Sequence, residues 1–181
     1  FDVFAGKKSA QIREILISES AWEEMTCLFA PSLTGGIMTQ QFSPPYEVVE
    51  MSRRIFENLI SSTLKTSDTT GTCMYGSILV SMLLEKFSGV RTRIAGGDGV
   101  GDGGIVTPEG MKGHYWVVAN VHGMHFIVDI TADQFGMDSI IYKGLKDAPE
   151  YVEGHQAVVD EHVADSFQKL FQSYSSEDTR L

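Results

Sequence analysis

Cysteine is scarce in this chain, which has only Cys27 and Cys73 among its 181 residues. Two cysteines so far apart do not form the disulfide framework that a small secreted domain needs. Their thiols are therefore expected to stay reduced, and a soluble protein acting in a reducing cytosol is the expectation. Each cysteine must then be judged by its own surroundings.

The sequence also lacks long apolar runs and an excess of positive charge. Lys, Glu, Ser or Gly interrupts every apolar stretch before it reaches the length of a membrane span, so no membrane insertion is expected. The net charge of −10 argues against nucleic acid as the partner and favours a basic or neutral protein. No signal segment opens the chain, and because it begins with Phe1 we expect a processed product or a domain of a longer protein.

Patterns for metals and cofactors are missing as well. His122 and His125 flank a predicted turn, with no further Cys or His at metal-ligand spacing. The segment Gly99–Gly104 has the form of the dinucleotide glycine pattern, but Thr107 and Pro108 follow where a helix must begin. The same segment lacks the bidentate Glu of a calcium loop. We therefore expect neither a metal nor a cofactor.

The length of the chain fits one domain, and neither repeats nor a change of composition marks a boundary. We expect a single domain over residues 1–181. Its parts are a helical N-terminal part at 1–65, a mixed core at 66–142 and a C-terminal helix at 150–175. The expected fold class is therefore α+β.

Apolar residues at helical spacing predict four helices. They cover residues 12–29, Val48–Leu59, Cys73–Phe87 and Gln156–Tyr174. Alternating apolar residues predict four strands. These are Val90–Ala95, His114–Val121, His125–Ile130 and Ser139–Tyr142, with a hairpin turn at His122–Met124. Gly96–Gly104 holds six glycines and two aspartates in nine residues and is expected to be a mobile loop.

Cys73 opens one of the predicted helices, in the segment Gly71-Thr72-Cys73-Met74-Tyr75-Gly76. The positive end of the helix dipole and the free backbone N–H groups of the first turn favour thiolate over thiol and can bind an oxyanion. Gly71 and Gly76 let a substrate approach the sulfur. Cys73 is thus a candidate nucleophile, with a small buried hydrophobe as the alternative. Cys27 lies on an apolar helical stripe and is expected in the core.

His114 and Asp129 follow Cys73 in chain order, each within a predicted strand. A thiol nucleophile needs a base and a carboxylate that orients the base. His114 enters its strand from a glycine-rich segment, where a base is accessible, and Asp129 interrupts an apolar strand, where an unpaired carboxylate is costly. The alternatives are a surface histidine and a solvent-facing edge aspartate.

Gln134 follows Asp129 by five residues, and its amide N–H groups could complete an oxyanion hole; a capping or turn role is the alternative. Asp133 could replace Asp129 as the orienting acid. Because Asp133 lies past the end of the strand, however, we expect it to face solvent.

These segments together resemble the transglutaminase-like branch of the papain-like superfamily. The resemblance covers roughly residues 66 to 136. It rests on a helix that Cys73 initiates, the strand Val90-Arg91-Thr92-Arg93-Ile94-Ala95-Gly96, His114-Tyr115-Trp116-Val117-Val118 and Ile127-Val128-Asp129-Ile130-Thr131. Arylamine N-acetyltransferases are similar in the order Cys, His, Asp, but the chain lacks their Arg-Gly-Gly sequence before the cysteine. Glutamine deamidase domains of bacterial toxins and secreted effectors, of the Pasteurella multocida toxin type, are closer in size, and Gln134 could match their glutamine after the acid.

The resemblance implies a papain-like core in which the nucleophile helix packs on a small antiparallel sheet, with flanking helices. It implies a Cys73–His114–Asp129 triad that attacks a carboxamide of a protein substrate, releases ammonia or an amine, and passes the acyl group to water or another amine. The expected function is therefore glutamine deamidation by a single catalytic domain of a toxin or effector, delivered by secretion, with a host or competitor protein as substrate. A papain-like cysteine protease and a catalytically silent binding module are the alternatives.

Overall fold

The computed structural model describes residues 42–171. The helix predicted over residues 12–29, the core position predicted for Cys27 and the end of the last predicted helix lie outside the described residues. Within them the protein is mixed α+β, with three α-helices and two antiparallel sheets. The predicted fold class is therefore confirmed at this level.

The helices follow the predicted apolar stripes. Helix α1 spans Pro45–Leu64, with its proline in the first turn, where the missing N–H is not needed. Helix α2 spans Cys73–Leu83 and begins at the predicted residue; one π-helical turn, Leu84–Ser88, extends it. Helix α3 spans Gln156–Phe171. No helix among residues 42–171 has both the length and the apolar composition that a membrane span requires.

The larger sheet contains four antiparallel strands in the order β1-β4-β5-β6. They are β1 (Arg91–Gly97), β4 (His114–Val121), β5 (Met124–Asp129) and β6 (Ile141–Gly144). The hairpin between β4 and β5 is confirmed: it turns at His122 and Gly123, both with positive φ, as a tight two-residue turn requires. The predicted edge strand exists and begins two residues later than expected. Helices α2 and α3 pack on this sheet, and α1 packs on α2.

A smaller sheet, in the order β3-β2-β7, was not predicted. Its strands are β2 (Gly104–Thr107), β3 (Gly110–Lys112) and β7 (Tyr151–Val152). They have two to four residues each, too few for a period of two to be visible in the sequence. Because β7 pairs with β2 across a long stretch of chain, no local signal announces it.

The expectation of a mobile loop over Gly96–Gly104 is wrong at both ends. Gly96 and Gly97 belong to β1 and pair with Tyr115 and His114, and Gly104 begins β2. A Cβ at Gly96 would lie 2.1 Å from the carbonyl oxygen of His114. The glycines are therefore required because backbone segments approach closely here, which the composition alone did not distinguish from flexibility.

Strand β4 separates two apolar clusters because its side chains alternate between the faces of the sheet. One face contacts the helices and carries Tyr115, Val117 and Ala119. The other contacts the smaller sheet and carries Trp116 and Val118. The N-terminal end of this strand is where the candidate site lies.

Candidate active site

The three predicted catalytic side chains lie at the ends of one helix and two strands, and these ends are close together in the fold. Cys73 is the first residue of α2, His114 the first of β4 and Asp129 the last of β5. Helix α2 packs on β4, and β4 pairs with β5. The register that pairs Val117 with Val128 puts Asp129 beside the face of β4 that carries His114. The fold therefore brings the helix start and the two strands to one place.

His114 and Asp129 form a buried pair. Nε2 of His114 donates to Oδ2 of Asp129 at 2.6 Å, since an ionised carboxylate can only accept. His114 is completely buried, and Asp129 has an exposed fraction of 2%. The alternatives of a surface histidine and a solvent-facing aspartate do not describe these positions.

Further donors satisfy the carboxylate of Asp129. The backbone N–H and the hydroxyl of Thr131 donate to Oδ1 at 2.8 and 3.0 Å. The hydroxyl of Tyr151, from β7, donates to Oδ2 at 3.0 Å. A buried carboxylate with four donors has little freedom to rotate, so it fixes the orientation of the His114 ring.

The pKa of His114 is raised and the pKa of Asp129 is lowered relative to their ordinary values. Burial is the largest single influence on the pKa of His114 and lowers it. The charge and hydrogen bond of Asp129 raise this pKa, and Cys73 makes smaller contributions in the same direction. Together they outweigh burial and raise the pKa of His114 to about 10. For Asp129, burial raises the pKa, whereas the charge and hydrogen bond of His114 and the donors of Thr131 bring it below its ordinary value. Both shifts favour an imidazolium–carboxylate ion pair, whose partners offset each other's burial.

Cys73 affects the protonation of His114. The pKa of His114 is lowered by burial and raised more strongly by Asp129, and Cys73 adds a smaller contribution that raises it. Because Nε2 is occupied by Asp129, Nδ1 is the nitrogen left for an interaction with the sulfur. Cys73 is half-buried, so its side chain is partly open to solvent. The hydroxyl of Thr72 donates back to the carbonyl of Thr69 at 2.6 Å and does not cap the helix, which leaves first-turn N–H groups to bind an anion.

Gln134 lies between the nucleophile segment and the base. Its Nε2 donates to the carbonyl of Thr131 at 2.8 Å and lies 3.5 Å from Nδ1 of His114. Its Oε1 accepts from the backbone N–H of Gly71 at 3.4 Å. Gln134 is thus at the predicted site, with one of its two amide hydrogens already donated to the backbone.

The expectation that Asp133 faces solvent is wrong. Its carboxylate accepts from Arg53 at 2.7 and 3.1 Å and from the hydroxyl of Thr69 at 2.8 Å. Asp133 therefore pairs with α1, whereas Asp129 holds the histidine. Position beyond a strand end was a poor guide here, because a short 3-10 helix, Ala132–Phe135, turns this segment back toward the protein.

The two glycines around Cys73 differ in role. Gly71 has φ +74 and open space around its Cβ position. At Gly76, a Cβ would lie 2.8 Å from the side-chain methyl of Thr131. Gly76 therefore allows α2 to pack directly on the residue that follows β5, and the expected role in substrate approach does not apply to it.

Aromatic side chains enclose the base. The ring of Phe135 meets His114 edge-on at 4.9 Å, and Trp116 stacks at 6.2 Å. On the helix face of β4, the hydroxyl of Tyr115 donates to Asp98 at 2.6 Å and lies 2.8 Å from Nδ1 of His162. Burial, then Asp98, then the nearby charges of Cys73 and Asp102 raise the pKa of Tyr115, so its phenol stays neutral. The two faces of β4 near the site thus differ: aromatic rings pack on His114, whereas Tyr115 on the helix face pairs with polar side chains.

Sequence reasoning missed Tyr151 and Arg53. Nothing near Tyr151 marked it, because it lies in a two-residue strand. Arg53 did carry a signal: it falls at helical spacing between Val49 and Phe56, both completely buried, and a charge on an apolar stripe requires a partner. Such a position could have been recognised as a buried ion pair.

Comparison of the chain with protein-family models, curated proteins and solved structures finds no match. Among residues 42–171, no group of three or more His, Cys, Asp or Glu side chains is arranged to hold a metal ion. The geometry of Cys73, His114 and Asp129 is therefore the basis for any functional argument.

Proposed function

We propose that this protein is a thiol acyl-transfer enzyme. Cys73 is the nucleophile, His114 is the general base and then the general acid, and Asp129 orients His114. The observation that carries the proposal is the buried 2.6 Å hydrogen bond between His114 and Asp129, together with a cysteine that begins the helix packed on the strand of His114. This arrangement suits nucleophilic catalysis, because Asp129 orients the imidazole and stabilises its protonated form.

The proposed reaction proceeds through a thioester. The sulfur of Cys73 attacks the carboxamide carbon, the carbonyl electrons move to oxygen, and the C–N bond then breaks. His114 gives its proton to the departing nitrogen, which leaves as ammonia. A water molecule then attacks the thioester while His114 takes one of its protons, so that the products are a carboxylic acid and the free thiol.

The oxyanion of the tetrahedral intermediate requires donors near the sulfur. In the proposal, these are the N–H of Cys73 and an amide hydrogen of Gln134. The uncapped first turn of α2 and the second hydrogen of the Gln134 amide support this assignment. Gln134 would need no large movement, because its Nε2 already lies 3.5 Å from Nδ1 of His114.

The finer fold assignment also belongs to the proposal. A papain-like or transglutaminase-like core is supported by a nucleophile helix that packs on an antiparallel sheet, with α1 and α3 beside it. The resemblance to deamidase domains of toxins and effectors makes glutamine side chains of a protein the substrate of the proposal. The net charge of −10 favours a substrate protein with a basic or neutral surface.

A mass measurement tests the reaction. The full chain is incubated with a glutamine-rich protein such as casein, with and without a primary amine, and the intact mass of casein is followed. The matched control is Cys73→Ala. Deamidation replaces an amide by an acid without breaking the chain, whereas proteolysis gives fragments and transglutamination adds the amine with loss of ammonia.

The outcomes separate the alternatives. An acid-for-amide exchange that depends on Cys73 supports the deamidase, and fragments that depend on Cys73 support the protease instead. Equal mass changes with the wild type and Cys73→Ala would contradict a thiol enzyme. A binding module is supported if casein is unchanged and iodoacetamide labels Cys73 no faster than a free thiol in the unfolded chain.

A further inference from the structure

One arginine joins the segments that carry the nucleophile and the acid. Arg53 lies on α1 with an exposed side-chain fraction of 7%, and it forms two hydrogen bonds with the carboxylate of Asp133, at 2.7 and 3.1 Å. It also donates to the carbonyl of Ile130, the residue after Asp129. A single guanidinium therefore binds the chain at two points directly after the orienting acid.

Asp133 continues the connection toward the nucleophile. Its Oδ1 accepts from the hydroxyl of Thr69 at 2.8 Å. The carbonyl of Thr69 in turn accepts from the backbone N–H of Thr72 at 3.1 Å and from its hydroxyl at 2.6 Å. A continuous series of hydrogen bonds therefore runs from α1 to Thr72, the residue directly before Cys73.

The same aspartate also governs the neighbouring amide. Gln134 follows Asp133 in the chain and contacts both Gly71 and His114. If Asp133 loses its partners, the short 3-10 helix that carries Gln134 loses its attachment to α1. The position of Gln134 relative to the sulfur would then change with that of the nucleophile segment.

We infer that Arg53 and Asp133 are positioning residues that set the separation between Cys73 and the His114–Asp129 pair, an inference that rests on the thiol acyl-transfer function proposed above. Neither residue touches the reacting atoms. Their effect is geometric: small displacements of a nucleophile from its base reduce rates strongly even when the fold survives. Arginine is required because its planar guanidinium binds a carboxylate at two points, which lysine cannot do.

The chain provides a matched control on the same arginine. Glu57 pairs with Nε of Arg53 at 2.7 Å, the same distance as the shorter contact with Asp133. Glu57 lies one turn along α1 and is half-exposed, and among residues 42–171 its ion pair is with Arg53 and not with the nucleophile segment or the segment after β5. Glu57→Gln therefore removes an ion pair of Arg53 without altering the proposed connection.

The test compares Asp133→Asn, Arg53→Lys and Glu57→Gln in a Cys27→Ser background, so that Cys73 is the only thiol. Iodoacetamide, itself a small carboxamide, labels Cys73 across a pH series, and intact mass gives the rate. The thermal melt of each variant is also measured. Where a variant shows turnover, its kcat and KM for casein glutamine are measured as well. Asp133→Asn and Arg53→Lys are expected to lower the labelling rate and kcat by about ten- to a hundredfold, with KM nearly unchanged. Glu57→Gln is expected to leave the labelling rate, kcat and KM unchanged.

Three results test the positioning role of Asp133 and Arg53 independently of the proposed reaction. If Asp133→Asn labels and turns over at the wild-type rate, the inference is overturned, whatever its melting temperature. If the wild type modifies no carboxamide but Asp133→Asn still labels more slowly than Glu57→Gln, the proposed reaction fails and the positioning role stands. If Asp133→Asn does not fold, Thr69→Val removes only the hydroxyl link, and a wild-type labelling rate in that folded variant overturns the inference.

Discussion

The two sides of the candidate site differ in how they hold their polar groups. On the side of the base, His114 and Asp129 are buried, with the hydroxyl of Tyr151 as a further donor. On the side of the nucleophile, Cys73 is half-buried and the nearby Asp98 has a side chain that is 66% exposed. His114 is therefore oriented by enclosure, whereas Cys73 lies at a helix end that solvent can reach.

This difference assigns separate physical tasks to the two sides. Enclosure strengthens the charge–charge interaction between His114 and Asp129 and removes water that would compete for their hydrogen bonds. The partial exposure of Cys73 leaves its thiol accessible to a reagent in solution. Substitutions on the enclosed side should therefore affect both rate and stability, and those on the exposed side mainly rate.

Cys73→Ala should have the largest effect on rate and little on stability. Removal of the nucleophile should lower turnover by ~10³-fold or more, while loss of one sulfur at a half-exposed helix start creates almost no cavity. Turnover on casein and the thermal melt are the two measurements. Turnover by purified Cys73→Ala, free of wild-type enzyme, would remove the nucleophile from the mechanism.

Asp129→Asn should lower both the turnover rate and the free energy of unfolding. Turnover should fall by roughly 10²–10³-fold because the imidazole loses its preferred tautomer, and the free energy of unfolding should fall by about 1–3 kcal/mol because the amide cannot satisfy the same donors. Asp98→Asn is the matched control on the exposed side, where water replaces the lost partner. Equal losses in the two variants would show that enclosure does not distinguish the two carboxylates.

The buried pair should also give stability a definite pH dependence. Because the folded-state pKa of His114 is raised to about 10, its contribution is complete below the unfolded value of about 6.5 and is lost as the pH rises through about 10. The contribution of Asp129, whose folded-state pKa is lowered, is present above about 4 and is lost as the pH falls through that lowered value.

Urea unfolding at a series of pH values measures this dependence. The wild type should be most stable relative to the double variant His114→Gln/Asp129→Asn between about pH 4 and 6.5, where both contributions are present. The difference should shrink between about pH 6.5 and 10, because the unfolded chain then releases the His114 proton while the folded protein still holds it. A difference that grows as the pH rises to about 6.5 and then stays constant to about pH 10 would mean that His114 is neutral in the folded state.

The last comparison concerns stability alone, at the two tyrosines that donate to the carboxylates. Tyr151→Phe should lower the free energy of unfolding by about 1.5–3 kcal/mol, since buried Asp129 loses a donor that nothing replaces. Tyr115→Phe should cost at most about 1 kcal/mol, since exposed Asp98 regains water. Urea melts of both variants measure this directly, and the reverse order would contradict the assignment of the enclosed side.

The parts that could be predicted from sequence depend on local signals. The start of α2 at Cys73, the β4–β5 hairpin and the position of Asp129 within an apolar strand all follow from the spacing of apolar residues over short stretches. Because Asp129 interrupted such a stretch, a buried partner could be expected, and His114 is that partner in the structure.

The parts that could not be predicted depend on pairing between distant residues. Tyr151 reaches Asp129 only because β7 pairs with β2, a contact with no local signature. Asp133 was misjudged because its partner, Arg53, lies on a helix far back in the chain. The glycines of β1 had the composition of a loop, and their need for close backbone contact depends on β4 lying beside them.

The position of strand β4 between the two apolar clusters determines how the candidate site unfolds. It supplies alternate side chains to both apolar clusters, so neither cluster can open without releasing the other. The backbone amides of this strand should therefore exchange their hydrogens with solvent only through unfolding of the whole described domain, and not by local fraying. His114, the first residue of β4, would then keep its geometry up to the global transition, and activity in urea should vanish at the same midpoint as the fold itself.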